Sequence, residues 1–217
     1  MYNIENNHKH RNYCICSSFS YISNFIVVFF ALEKQEGVVM EQIQKTQVLQ
    51  SIKEATMVLV GIGKEVSLTH HSREELLAFY NQLEMLLHGK FYFVVTLNTD
   101  DLIYESKFDS RLIVAPCGSD KAGNVVTNPD YDESVYLPQW KSYQQWLGNT
   151  LNQKFVILEL GVGMEYPTVL RFPDEKMAYF NQKSLLCRIH RNLYQIPAEI
   201  RERGIGIQAD PVAYFAQ

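Results

Sequence analysis

Thr96-Leu97-Asn98-Thr99-Asp100-Asp101 gathers groups that could do chemistry in this 217-residue chain. It follows the apolar run Phe91–Val95, so its side chains stand at the end of a buried strand. An Asn amide both donates and accepts, which suits a ribose hydroxyl or a carboxamide. Asp100 or Asp101 could instead cap a following helix. A second segment, Ala115-Pro116-Cys117-Gly118-Ser119, also closes an apolar run. Cys117 could serve as nucleophile or base only with a lowered pKa and a partner. No His lies near it in sequence, and a small inert residue is the simpler reading. Gly61-Ile62-Gly63 and Gly161-Val162-Gly163 close two further runs. A G-x-G turn after a strand lets the backbone approach a phosphate closely. A full dinucleotide fingerprint wants a third glycine at 66, where Val66 stands, so a turn without a ligand is the alternative.

The elements that must position these groups alternate. Helical spacing runs over 41–55, with Ile43, Val48, Leu49 and Ile52 on one side. The pattern then predicts a strand over 57–60 and a helix opening at Ser72, where Glu75 completes a capping box and Gly89 stops it. Strands follow over 91–96 and 112–115, joined by a short helix in DDLIYESKF. Residues 116–137 are polar and turn-rich, and read as a surface excursion. A helix over 138–151, a strand over 155–160 and a helix over 168–181, interrupted at Pro173, come next. Strands over 185–189 and 204–207, the latter at an edge, and a helix from about Asp210 complete the chain. Short, doubly apolar strands alternating with helices indicate an α/β fold: a Rossmann-like, mostly parallel sheet with helices on both faces.

Hydrophobic residues make up 47% of the chain and charged residues 20%, enough for a full core. The net charge of −4 leaves no basic footprint for nucleic acid. Cys14, Cys16, Cys117 and Cys187 form no C-x-x-C pair, and lone interior cysteines fit a reducing cytoplasm. Residues 12–32 carry no charge and follow the basic His8-Lys9-His10-Arg11. The span is long enough for an apolar anchor, though Asn, Ser and Tyr dilute it. Gln35-Glu36-Gly37 can also be encoded by bases containing AGGAGG, a bacterial ribosome-binding sequence, just ahead of Met40. Residues 1–39 are therefore expected to be a leader, either a mis-assigned start or an anchor, and 40–217 one domain. Starting at Met40, the protein would have no membrane partner.

The four segments occur in an order that resembles the sirtuin (Sir2-like) family, over about residues 45–217. The hallmarks are a G-A-G turn, a T-Q-N-x-D turn, a strand ending in H-G, and a late G-T-S-L-x-V-x-P turn. Here they stand as Gly61-Ile62-Gly63, Thr96-Leu97-Asn98-Thr99-Asp100, Cys117-Gly118-Ser119 and Gly161-Val162-Gly163-Met164-Glu165-Tyr166-Pro167. The resemblance implies NAD as cofactor, bound across the carboxyl ends of the strands. The implied binding set is Gly61, Ile62, Gly63, Thr96, Asn98, Asp100, Gly118, Ser119, Gly161, Val162, Gly163, His190 and Asp210. The implied catalytic set is Asn98, Asp100 and Cys117.

The departures bear on activity. Cys117 stands where the family has its catalytic His. The G-I-P-D-F-R loop is missing, since 66–71 leads almost straight into a helix. Residues 120–137 hold no cysteine, so the zinc module is absent or metal-free and no structural zinc is expected. Cleavage of the nicotinamide–ribose bond could survive loss of the His, whereas efficient deacylation should not. Two expectations follow: an NAD-dependent deacylase or ADP-ribosyltransferase acting on a protein with a modified lysine, or an inactive module that binds NAD or ADP-ribose.

Overall fold

The computed structural model describes residue 39 and residues 42–216. The expectations for the leader fall on residues outside that description. By contacts, residues 44–217 form one compact unit. Among the described residues, no helix is long and apolar enough to cross a membrane.

Six parallel strands build the sheet: β1 (Met57–Ile62), β2 (Phe91–Thr96), β3 (Ile113–Val114), β6 (Phe155–Leu160), β7 (Ser184–Ile189) and β8 (Gly204–Ile207). A separate hairpin, β4 (Gly118–Ser119) with β5 (Asn124–Val125), is antiparallel. The sheet order is β3-β2-β1-β6-β7-β8. Its direction of growth reverses between β1 and β6, which is the Rossmann arrangement. Every residue of β1 and of β6 is buried, because helices cover both faces. Val58, Val60 and Ile62 face a cluster built with the first helix (α1, residues 42–54), α2 (Arg73–Leu87) and α5 (Pro211–Phe215). Met57 and Leu59 face the other cluster, with Tyr143 of α3 (Leu137–Gly148) and Ala178 of α4 (Arg171–Phe180).

Local chemistry explains the boundaries. Ser72 accepts from the Glu75 N–H and Glu75 accepts from the Ser72 N–H, so the capping box forms as expected. The 57–60 strand extends to Ile62, which places Gly61 and Ile62 inside the sheet and not in the turn. Residues 102–105 form a 3-10 turn, not an α-helix. The late helix begins at Arg171, which puts Pro173 in its first turn, where a missing N–H breaks no internal bond. The expected interruption therefore does not occur.

One row of the sheet carries charge. Glu159 of β6 and Arg188 of β7 are register partners, and both are buried. Arg188 donates to both Glu159 oxygens, to Glu175 at 2.8 Å, and to the Gln195 carbonyl at 2.7 Å. Asp174 of α4 lies fully buried beside them, with no protein N–H or hydroxyl donated to its carboxyl oxygens and its own carboxyl within hydrogen-bonding reach of Glu159. Burial raises its pKa well above the ordinary carboxylate value, and repulsion from Glu159 adds to that, against the pull of Arg188.

The sign of the resulting pH dependence is fixed. The unfolded chain releases this proton near pH 3.9, whereas the fold retains it. Asp174 thus contributes its full stability below that value and loses it as pH rises toward the folded pKa. Asp174→Asn should melt higher than the parent at about pH 8, and the gap should shrink toward about pH 4. A variant less stable at about pH 8 would show that a charged Asp174 is required.

Candidate functional site

Open α/β sheets form a ligand crevice where the strand order reverses; here that reversal falls between β1 and β6, and the two glycine turns at those strands' carboxyl ends meet there. A Cβ on Gly63 would sit 2.0 Å from the Gly161 carbonyl oxygen, and Gly161 itself holds φ at +65°. The Gly63 N–H reaches the Leu160 carbonyl at 2.8 Å, and the Gly161 N–H reaches that of Ile189 at 2.8 Å. Only paired residues without side chains let two turns touch backbone to backbone. Among the described residues, the N–H groups of Val162 and Gly163 have no protein partner.

Asn98 joins this crevice from β2. Its amide donates to the Val66 carbonyl, one residue beyond Glu65 in the turn after β1. Its Oδ1 is buried without a hydrogen bond, with the Tyr80 hydroxyl close to the Asn98 side chain. The Asn98 N–H is held at 3.1 Å by the hydroxyl of Thr96, itself buried. Asp100 accepts from the Leu102 N–H at 3.1 Å through Oδ1, while Oδ2 is buried and unpartnered. Burial raises the Asp100 pKa, against the Leu102 N–H bond and the nearby Leu68 backbone. Asp100 is therefore a short-range cap with one oxygen left over. The side chains of this segment fix their own loop.

The far wall comes from β7 and β8. Glu65 Oε2 accepts from the Arg191 N–H at 3.0 Å, and Oε1 lies 3.2 Å from His190 Nδ1. The same Nδ1 lies 3.0 Å from the N–H groups of Asn192 and Leu193. Burial lowers the His190 pKa, which favours the neutral ring accepting from those amides over an ion pair with Glu65. Arg191 donates to Asp210, which also caps α5 by accepting from Val212 and Ala213. His71 Nε2 lies 3.4 Å from the same carboxylate. Despite the opposing effect of burial, the Arg191 bond helps hold the Asp210 pKa low. Arg171, from α4, donates to the Leu193 carbonyl, so two buried guanidiniums pin the 190–195 loop.

Cys117, Gly118 and Ser119 sit on the β3 side. The Gly118–Ser119 pair belongs to the β4–β5 hairpin, and Ser119 donates to Asp101. Asp101, Tyr104, Ser119, Asn124, Tyr136 and Gln139 line a cavity of about 400 Å³ there. Cys117 is buried among apolar side chains. Burial pushes its thiol up to about 11, and the nearby Lys64 charge opposes this only in part. A thiol raised in this way is a poor general base at neutral pH. Iodoacetamide at about pH 7 should label Cys117 no faster than Cys187, which is also buried, with a thiol pushed up to about 12. Rapid labelling of Cys117 alone would mark an activated thiolate. Among the described residues, no group of three or more His, Cys, Asp or Glu stands close enough to hold a metal ion.

Against this geometry the comparisons with known proteins can be set. No family model matches the chain. A stretch of 79 residues is 25% identical to a protein of Staphylococcus aureus (strain Mu50 / ATCC 700699) named protein ADP-ribosyltransferase. It covers 36% of this chain and 25% of that protein, so the chain matches about a quarter of that protein's length.

The sequence reading passed over two parts of the site. Glu65 follows the first glycine turn and reads as a solvated surface charge, yet its side chain is only 13% exposed. Glu159 and Arg188 each interrupt an apolar run, which was the available signal. Their pairing depends on strand register, which spans residues far apart in sequence.

Proposed function

We propose that the switch-point crevice binds the ADP-ribose part of NAD and that the chain carries out ADP-ribosyl-transfer chemistry in a divergent sirtuin-like domain spanning 40–217. The observation that carries this reading is the buried Oδ1 of Asn98, left without a hydrogen bond, beside two glycine turns that meet at the reversal of a Rossmann sheet. Open α/β sheets take ligands at that point. The partial match to a protein named ADP-ribosyltransferase supports the class of chemistry.

In this reading the Val162 and Gly163 amides face the diphosphate. Asn98 and Asp100 hold hydroxyls of the nicotinamide ribose, and the 190–191 turn with Asp210 faces the adenosine half. The bond from ribose C1′ to the nicotinamide nitrogen breaks, and its electron pair leaves on that nitrogen and neutralises the pyridinium. C1′ then takes an oxygen of the acceptor, whose proton passes to solvent. The cavity beside Asp101 and Ser119 gives an acceptor room to approach. Deacylation needs a base for a ribose hydroxyl, and a thiol with a pKa of about 11 is a poor one at neutral pH.

The test is incubation of the full chain with NAD, with free nicotinamide measured with and without an acyl-lysine peptide. Nicotinamide release without loss of the acyl group is expected. A deacylated peptide would overturn the assignment of chemistry. Bound ADP-ribose without any nicotinamide release would leave a binding module.

A further inference from the structure

The crevice already contains an anion. Glu65 packs its Cβ so closely on Gly161 that a Cβ there would lie 2.7 Å away. Its carboxylate then reaches across the strand ends to the Arg191 N–H at 3.0 Å. That N–H belongs to the first turn after β7, whose Ile189 carbonyl accepts from the Gly161 N–H. A second carboxylate, Glu165, lies against Gly163. On this wall Arg191 is committed to Asp210, and Arg171 to Leu193 and to the Met164 sulfur, while Lys64, the residue before Glu65, is exposed. His190 is held toward its neutral form by burial. A phosphate entering this crevice would meet the Glu65 charge.

We propose that Glu65 is an internal anion that competes with ligand phosphate for the switch-point crevice, and so sets how tightly phosphorylated ligands bind. This rests on the reading of the crevice as a dinucleotide site, but it concerns only the phosphate-facing part. A diphosphate enters when the Glu65 side chain leaves the Arg191 amide, and ligands without phosphate need no such displacement. A phosphate brought beside this carboxylate would be repelled by it, the more so because the Glu65 side chain is only 13% exposed. Wild-type affinity for phosphates is therefore held down by a residue of the chain itself.

Titrating the full chain and its Glu65→Gln and Glu65→Ser variants with inorganic pyrophosphate and with ADP-ribose tests this. Glutamine keeps the size and an acceptor for the Arg191 N–H while losing the charge, so the fold is preserved even if serine loosens the turn. Pyrophosphate should bind Glu65→Gln about tenfold more tightly than wild type or better, a difference near 1.4 kcal/mol. Unchanged or weaker pyrophosphate binding by Glu65→Gln would overturn the proposal and make Glu65 a structural brace. A gain for pyrophosphate with no ADP-ribose binding by any form would uphold the Glu65 assignment and remove the dinucleotide reading instead.

Discussion

Arg188→Met should lower the stability of this protein by about 3–5 kcal/mol, the usual cost of leaving one buried charge of a pair alone. Glu159 is fully buried and takes two of its hydrogen bonds from Arg188. Asp174, buried in the same layer, is neutral or negative and cannot replace Arg188 as the countercharge to Glu159. The melting temperature should fall by roughly 10 °C, given the size of the domain. The 190–195 loop should also loosen, since Arg188 holds the Gln195 carbonyl. Replacing Glu159 with Leu in the same chain should recover much of the loss, because buried ion pairs rarely outperform apolar residues of similar volume. A single Arg188→Met variant that melts with wild type would show that water reaches this layer.

Gly63→Ala should be the most damaging small change at the crevice. Its added carbon would lie 2.0 Å from the Gly161 carbonyl oxygen and 2.4 Å from Val162 Cα, all backbone. Neither turn can yield without parting the ends of β1 and β6. The expected cost is about 1–3 kcal/mol, together with loss of ligand binding as the Val162 and Gly163 amides are displaced. Gly61→Ala is the control. Its carbon would meet only the Leu170 methyl groups at 3.2 Å, and a side chain can shift by the few tenths of an ångström required. Equal damage from both would mean that the turns are not held by contact with each other. Melting curves of the two variants, each with ADP-ribose titrated in, make the comparison.

Much of this architecture could be read from residue order. Short runs such as Phe91–Val95, apolar on both faces and rich in aromatic and β-branched residues, read as strands covered on both sides, and that implies a parallel sheet between helix layers. The glycine turns and Asn98 stood out because each follows such a run. Depth and pairing were not legible. Nothing in Ala115-Pro116-Cys117 says whether the thiol faces a crevice or an apolar cluster; its burial depends on Phe93, Tyr143 and other residues remote in sequence. The Asn98 amide looked free for a ligand, but half of it is engaged by Val66, a contact set by how β1 and β2 align. Pro173 looked like a break because its distance from the helix start could not be fixed to one turn.

On the proposed reading, the ligand binds at the reversal between β1 and β6. Backbone amide resonances of the isotope-labelled full chain, followed while ADP-ribose is added, test it most directly. Shifts should concentrate at Gly61–Val66, Asn98, Val162, Gly163 and Arg191, and should be larger in Glu65→Gln than in wild type at equal ligand. Shifts confined instead to the far side of the sheet, around Leu147, Met177 and Phe180, or absent from both proteins at millimolar ligand, would contradict it.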